Sequence, residues 1–115
     1  MKTLVIHPKD KTTDFLKRIY RNIPNKTVIT GGIDQESLNQ LIEIHDRILF
    51  MGHGSPYGLF SVGQFNIMSS YIVGDNTAKV LKNKENVLYL WCNADKFVNH
   101  HKLKGLYSGM FISEV

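Results

Sequence analysis

Arg47-Ile48-Leu49-Phe50-Met51 runs straight into Gly52-His53-Gly54-Ser55-Pro56, and this stretch decides the fold. Four consecutive apolar residues after Arg47 give no alternation between a wet and a dry side. That is the pattern of a strand covered on both faces, as in a parallel sheet. The glycines that follow end it abruptly. Upstream lies a helical pattern capped by Asp34, with Leu38, Leu41, Ile42 and His45 on one face. Before it, Lys26–Thr30 reads as a second strand turning at Gly31-Gly32, and Thr3–Ile6 as a first strand stopped by His7-Pro8. Between those two strands Thr12 and Thr13 offer an N-cap. Phe15, Leu16, Ile19, Tyr20 and Ile23 follow at helical spacing until Pro24.

Downstream, Tyr57–Ser61 and Gln64–Met68 around Val62-Gly63 predict a small β-hairpin. A third helix is expected from Asp75 or Thr77 to about Lys82. Asn86–Trp91 is a fourth buried strand ending at Cys92-Asn93-Ala94-Asp95, a short helix spans about 95 to 103, and Gly109–Ser113 is a last strand. Strands alternating with helices predict one α/β domain over residues 1–115. Its core is a mostly parallel, doubly wound sheet of about five strands, with the hairpin after the third.

Composition agrees with one globular unit. The chain has 115 residues, 43% of them apolar and 21% charged, enough to bury a core without metal or disulfide staples. The net charge of +4 is spread over several elements and interrupted by acids, which describes a solvated surface and no nucleic-acid stripe. No apolar run approaches the roughly 18 residues that span a bilayer, so no membrane partner is expected. The first residues read as a strand and not a leader peptide. A single cysteine excludes an internal disulfide and points to a reducing compartment, with the cytoplasm as default.

In open α/β sheets, sites form outside the carboxyl ends of the strands. Four tails are expected there: His7-Pro8, Gly31-Gly32, Gly52-His53-Gly54-Ser55 and Cys92-Asn93-Ala94-Asp95. His53 and Cys92 are the residue types of thiol catalysis, in which an imidazole takes the thiol proton as attack begins. A lone cysteine is more often packing, and a lone loop histidine is usually structural. Gly-His-Gly-Ser-Pro is no nucleophile elbow, because its serine is misplaced. Gly31-Gly32 lacks the third glycine of a dinucleotide loop. His100 and His101 are expected on different sides of a helix. With one cysteine and no histidine pair four apart, neither a metal nor a cofactor is expected.

A buried strand ending in Gly52-His53-Gly54, a glycine-aromatic hairpin at Tyr57–Ser61, a crossover helix and a buried strand ending in Cys92 resemble the caspase-like cysteine peptidases. These include caspases, metacaspases, gingipain-type enzymes and CHAT-domain proteases. The resemblance implies a cysteine endopeptidase, with His53 as base and Cys92 as nucleophile. It further implies an oxyanion hole from the amides of Gly54 and Cys92, and a peptide or protein substrate. Asp95 and Ser55 would then lie in the substrate groove; for Asp95 a helix N-cap is the plainer alternative. Two rival readings stand beside it. One is a catalytically inactive interaction module that forms homo-oligomers through the edge strand Gly109–Ser113. The other is a flavodoxin-like binder of a small ligand.

Overall fold

The computed structural model describes residues 1–31, 33–60 and 71–108. Along the chain come β1 (Thr3–Ile6), a 3-10 helix (Lys11–Leu16) running into α1 (Lys17–Tyr20), β2 (Lys26–Ile29), α2 (Gln35–Ile44) and β3 (Arg47–Met51). Then follow β4 (Gly54–Ser55), β5 (Gly58–Phe60), β6 (Tyr71–Val73), α3 (Asp75–Leu81), β7 (Val87–Leu90), α4 (Ala94–His101) and β8 (Leu106–Tyr107). The main sheet has the order β2-β1-β3-β7-β8 with every pairing parallel, while β4, β5 and β6 form a small antiparallel sheet. The expected doubly wound α/β architecture is therefore the observed one.

The register explains why the strands had to be continuously apolar. Val28, Val5, Leu49, Leu88 and Leu106 stand in one row across all five strands. The next row is Ile29, Ile6, Phe50, Tyr89 and Tyr107. Because side chains alternate along a strand, the two rows face opposite sides. From the first, Val5, Leu49 and Leu88 pack on Leu16 and Tyr20 of the 3-10 helix and α1. From the second, Ile29, Ile6, Phe50 and Tyr89 pack on Leu38 and Ile42 of α2, Ala78 and Leu81 of α3, and Phe97 and Val98 of α4. Each fully buried Leu, Ile or Phe contributes about 1.5–3 kcal/mol, so the central strands need both layers.

Two boundaries differ from the sequence expectation. The first helix is capped by Asp10, not Thr12 or Thr13: the Asp10 carboxylate accepts the Thr12 amide. It opens as a 3-10 helix and its α-helical part stops at Tyr20, short of Ile23. The described edge strand is Leu106–Tyr107; the expected strand Gly109–Ser113 and its oligomer contact fall outside the described residues. The glycine-aromatic segment does form an antiparallel sheet, with β6 as its third strand, whereas Gln64–Met68 also falls outside the described residues. No helix among the described residues is long and apolar enough to cross a membrane.

Candidate functional site

Numbered along the chain, the strands of the main sheet stand in the order 2-1-3-4-5, so the winding direction reverses between β1 and β3. The helices that follow neighbouring strands there leave on opposite faces, which opens a crevice at the strands' carboxyl ends. Two segments frame it: His7-Pro8-Lys9-Asp10 after β1 and Gly52-His53-Gly54 after β3. They are in contact. Gly52, at φ +153°, lies where an added Cβ would be 3.2 Å from Leu59 and 3.6 Å from Pro8, so a side chain there would be both strained and crowded.

The polar centre of this strand-end edge is Asp10. Its Oδ1 accepts the Thr12 amide at 2.9 Å and the Thr12 hydroxyl at 2.9 Å. His53 Nε2 lies 2.6 Å from Thr12 Oγ1 and 3.4 Å from Asp10 Oδ2. The proton order follows by elimination. A hydroxyl has one proton, and that of Thr12 goes to Asp10; an ionised carboxylate only accepts. Nε2 of His53 must then carry the hydrogen and donate it toward Thr12 and Asp10. The backbone hydrogen bond from Thr12, ahead of the smaller pull of His53, holds the Asp10 carboxyl below the usual carboxylate range. The His53 and Asp10 side chains are 34% and 19% exposed, so the pair is screened from bulk water yet reachable from it.

A second chain runs beside the first and is sealed. His7 is buried, with Nδ1 2.8 Å from the Tyr20 hydroxyl and Nε2 3.1 Å from Thr13 Oγ1. Thr13 donates its proton to the Asp10 carbonyl at 3.3 Å. His7 Nε2–H therefore donates to Thr13, and Tyr20 donates to His7 Nδ1. Burial pushes the His7 imidazole below its ordinary value, so it stays neutral and braces the loop that carries Asp10.

The residues singled out from sequence have other surroundings. Along β7 and its tail, Val87, Tyr89 and Trp91 face the α2–α4 side, while Leu88, Leu90 and Cys92 face the α1 side. The Cys92 thiol thus belongs to the apolar cluster of Val5, Leu16, Leu49 and Met51, and the Asn93 side-chain amide reaches it at 3.9 Å. Trp91 is fully buried, 5.4 Å from the Phe97 ring, and its Nε1 donates to the Ser55 carbonyl at 3.0 Å. A Cβ on Gly54 would run into the Trp91 indole and the Gly58 carbonyl, so that glycine is required by packing. Ser55 Oγ accepts the Tyr57 amide and lies 3.0 Å from the Tyr71 hydroxyl, holding the turn between β4 and β5.

Asp95 is not the N-cap of α4; Asn93, at φ 65°, is. Asp95 sits in the first turn, and its Oδ1 is buried with no hydrogen-bond partner among the described residues. His100 and His101 do not diverge: their rings are 4.7 Å apart, and His101 pairs with Asp75 at 3.2 Å. Among the described residues no cluster of three or more His, Cys, Asp or Glu could hold a metal. Sequence reasoning missed Asp10 and Thr12, although both follow the His7-Pro8 tail that the strand-end rule had placed at the correct edge.

Apolar grooves among the described residues lie elsewhere. One, of about 570 Å³, includes Phe15, Tyr20 and Val28. Another, of about 380 Å³, includes Leu49, Leu88 and Leu106. Neither is lined by Asp10 or His53.

No family model matches the chain, and no curated protein matches it. Among solved structures it is similar to an NADPH-quinone reductase from P. pentosaceus, at 17% identity and a TM-score of 0.45, over 93% of this chain and 85% of that one. What the comparison returns is a reductase and not a caspase-like peptidase. The expected caspase-like membership, and with it the cysteine endopeptidase activity, is corrected on this finding. The likeness says nothing of single residues: His53, Cys92, Gly54, Ser55 and Asp95 are described by their own contacts. Locally, the imidazole nitrogen that carries the proton is engaged by Asp10 and Thr12.

Proposed function

We propose that this chain is a small-molecule-binding α/β domain whose ligand enters the crevice outside the carboxyl ends of β1 and β3. One observation carries the reading. The Asp10–Thr12–His53 cluster, with Asp10 and His53 partly buried, stands at the reversal of a 2-1-3-4-5 sheet, where the geometry of open α/β sheets opens a crevice. Polar groups that converge in such a crevice, backed by a buried apolar wall, are the general make-up of small-ligand sites. His53 supplies an imidazole, and Asp10 a negative charge fixed by hydrogen bonds. The reading follows from the placement of these groups and not from the reductase likeness.

The test is a titration of the uniformly ¹⁵N-labelled protein with benzamide and with benzylamine, followed by amide chemical shifts. Saturable shifts centred on residues 9–13 and 52–54, reduced in His53→Ala, are expected. Shifts centred on Phe15, Val28 or Leu106, or none with either probe, would remove the crevice as the site.

A further inference from the structure

In doubly wound sheets that bind a nucleotide, the loop after the first strand receives its phosphate, on backbone amides at the start of the first helix. Here that place is taken. The Thr12 amide donates to Asp10 Oδ1 at 2.9 Å, and the Thr13 amide to the Asp10 carbonyl at 3.0 Å. The Thr12 hydroxyl, the other natural phosphate donor, also gives its proton to Asp10 Oδ1. An incoming phosphate would find these donors engaged and a carboxylate in contact with them. Like charges a few ångströms apart repel even where solvent screens them, and Asp10 lies in direct contact with these donors, whereas the exposed Lys9 and Lys11 side chains make no hydrogen bond or ion pair with it.

The same carboxylate has acceptor capacity left. An ionised carboxylate offers about four lone-pair sites. Oδ1 takes the two donors from Thr12, and Oδ2 faces His53 Nε2 at a long 3.4 Å. An N–H or O–H group entering the crevice can therefore bond Oδ2 without displacing a protein donor. A cationic donor gains further from the charge.

Resting on the small-molecule reading of this crevice, we infer that the site takes a neutral or cationic molecule that presents an N–H or O–H donor to Asp10 Oδ2, and turns away phosphate-bearing ligands. It follows that the phosphate end of a flavin mononucleotide does not fit the loop after β1.

Three probes of matched size test this by amide chemical shifts at neutral pH: benzylamine, benzamide and phenyl phosphate. In the wild type the first two are expected to shift residues 9–13 and 52–54, and phenyl phosphate to bind there at least tenfold more weakly than benzylamine. In Asp10→Asn, which keeps a capping oxygen and removes the charge, benzylamine is expected to weaken at least tenfold and phenyl phosphate to gain. Asp10→Ser, also a good helix cap, repeats the comparison if the asparagine variant fails to fold. Phenyl phosphate binding in the wild-type crevice as tightly as benzylamine would overturn the inference while leaving the crevice a ligand site. So would an order of affinities that neither variant changes. Silence of the crevice toward all three probes would overturn the inference and the small-molecule reading together.

Discussion

At Asp10 one carboxylate both caps the 3-10 helix, through the Thr12 amide, and orients His53, through the Thr12 hydroxyl. Removing it takes away both. Asp10→Ala is expected to lower unfolding stability in urea by about 1 kcal/mol, the usual cost of a lost cap, and Asp10→Asn by clearly less. The opposite case is Tyr89, whose hydroxyl is buried with no hydrogen-bond partner among the described residues. Burial pushes that phenol well above its ordinary value and leaves an unmet donor. Tyr89→Phe is expected to raise stability by about 1 kcal/mol. A comparable loss in urea would mean that the hydroxyl is satisfied after all. Single residues were the least legible part of the sequence. His53 could be assigned to the strand-end edge because a glycine pair ends its strand. Its partner could not be named, because Asp10 is 43 positions away and reaches it only through the path of a loop. The side taken by Cys92 was open to reasoning: strand alternation puts it opposite Trp91, and a residue as large as Trp91 belongs with the thicker helical layer.

The central strands β1, β3 and β7 were legible as elements because each is a dense apolar run, and burial on both faces leaves few other residue choices; β6 and β8, two or three residues long, were not. Element ends were harder. Asp10, Thr12 and Thr13 are all good caps, and packing decided among them, since Thr13 is drawn inward to bond His7. The last described strand is Leu106–Tyr107, where Leu106 continues the row that starts at Val28. The small antiparallel sheet rests on close approach. Gly54 lies directly against the Trp91 indole and the Gly58 carbonyl, with no room for a methyl group. Gly54→Ala is expected to cost about 1–3 kcal/mol, the usual range for overpacking, and to disturb β4 while leaving the main sheet folded. Near-wild-type stability with unchanged Trp91 fluorescence would contradict that packing.

The whole molecule should respond to acid in two stages. His7 and His101 are both held below the ordinary histidine value, each mainly by burial. The unfolded chain therefore takes up protons at these sites before the folded one does, and stability rises with pH wherever that is so. The urea midpoint is expected to fall as pH drops from 7 to 5. A second fall is expected below about pH 4, where carboxylates protonate in the unfolded chain; Asp10, Asp34 and Asp46 are lowered in the folded one by hydrogen bonds from backbone amides. A midpoint independent of pH between 7 and 5 would contradict the sealed, neutral His7. The architecture that carries these residues also carries the functional claim, for the 2-1-3-4-5 order sets β1 beside β3 and brings Asp10 to His53. The most direct test of that claim is a crystal soaked with benzylamine. The account predicts density for the amine within hydrogen-bond distance of Asp10 Oδ2, between the segments after β1 and β3. Density in the groove of Leu49, Leu88 and Leu106, with an empty crevice, would contradict it.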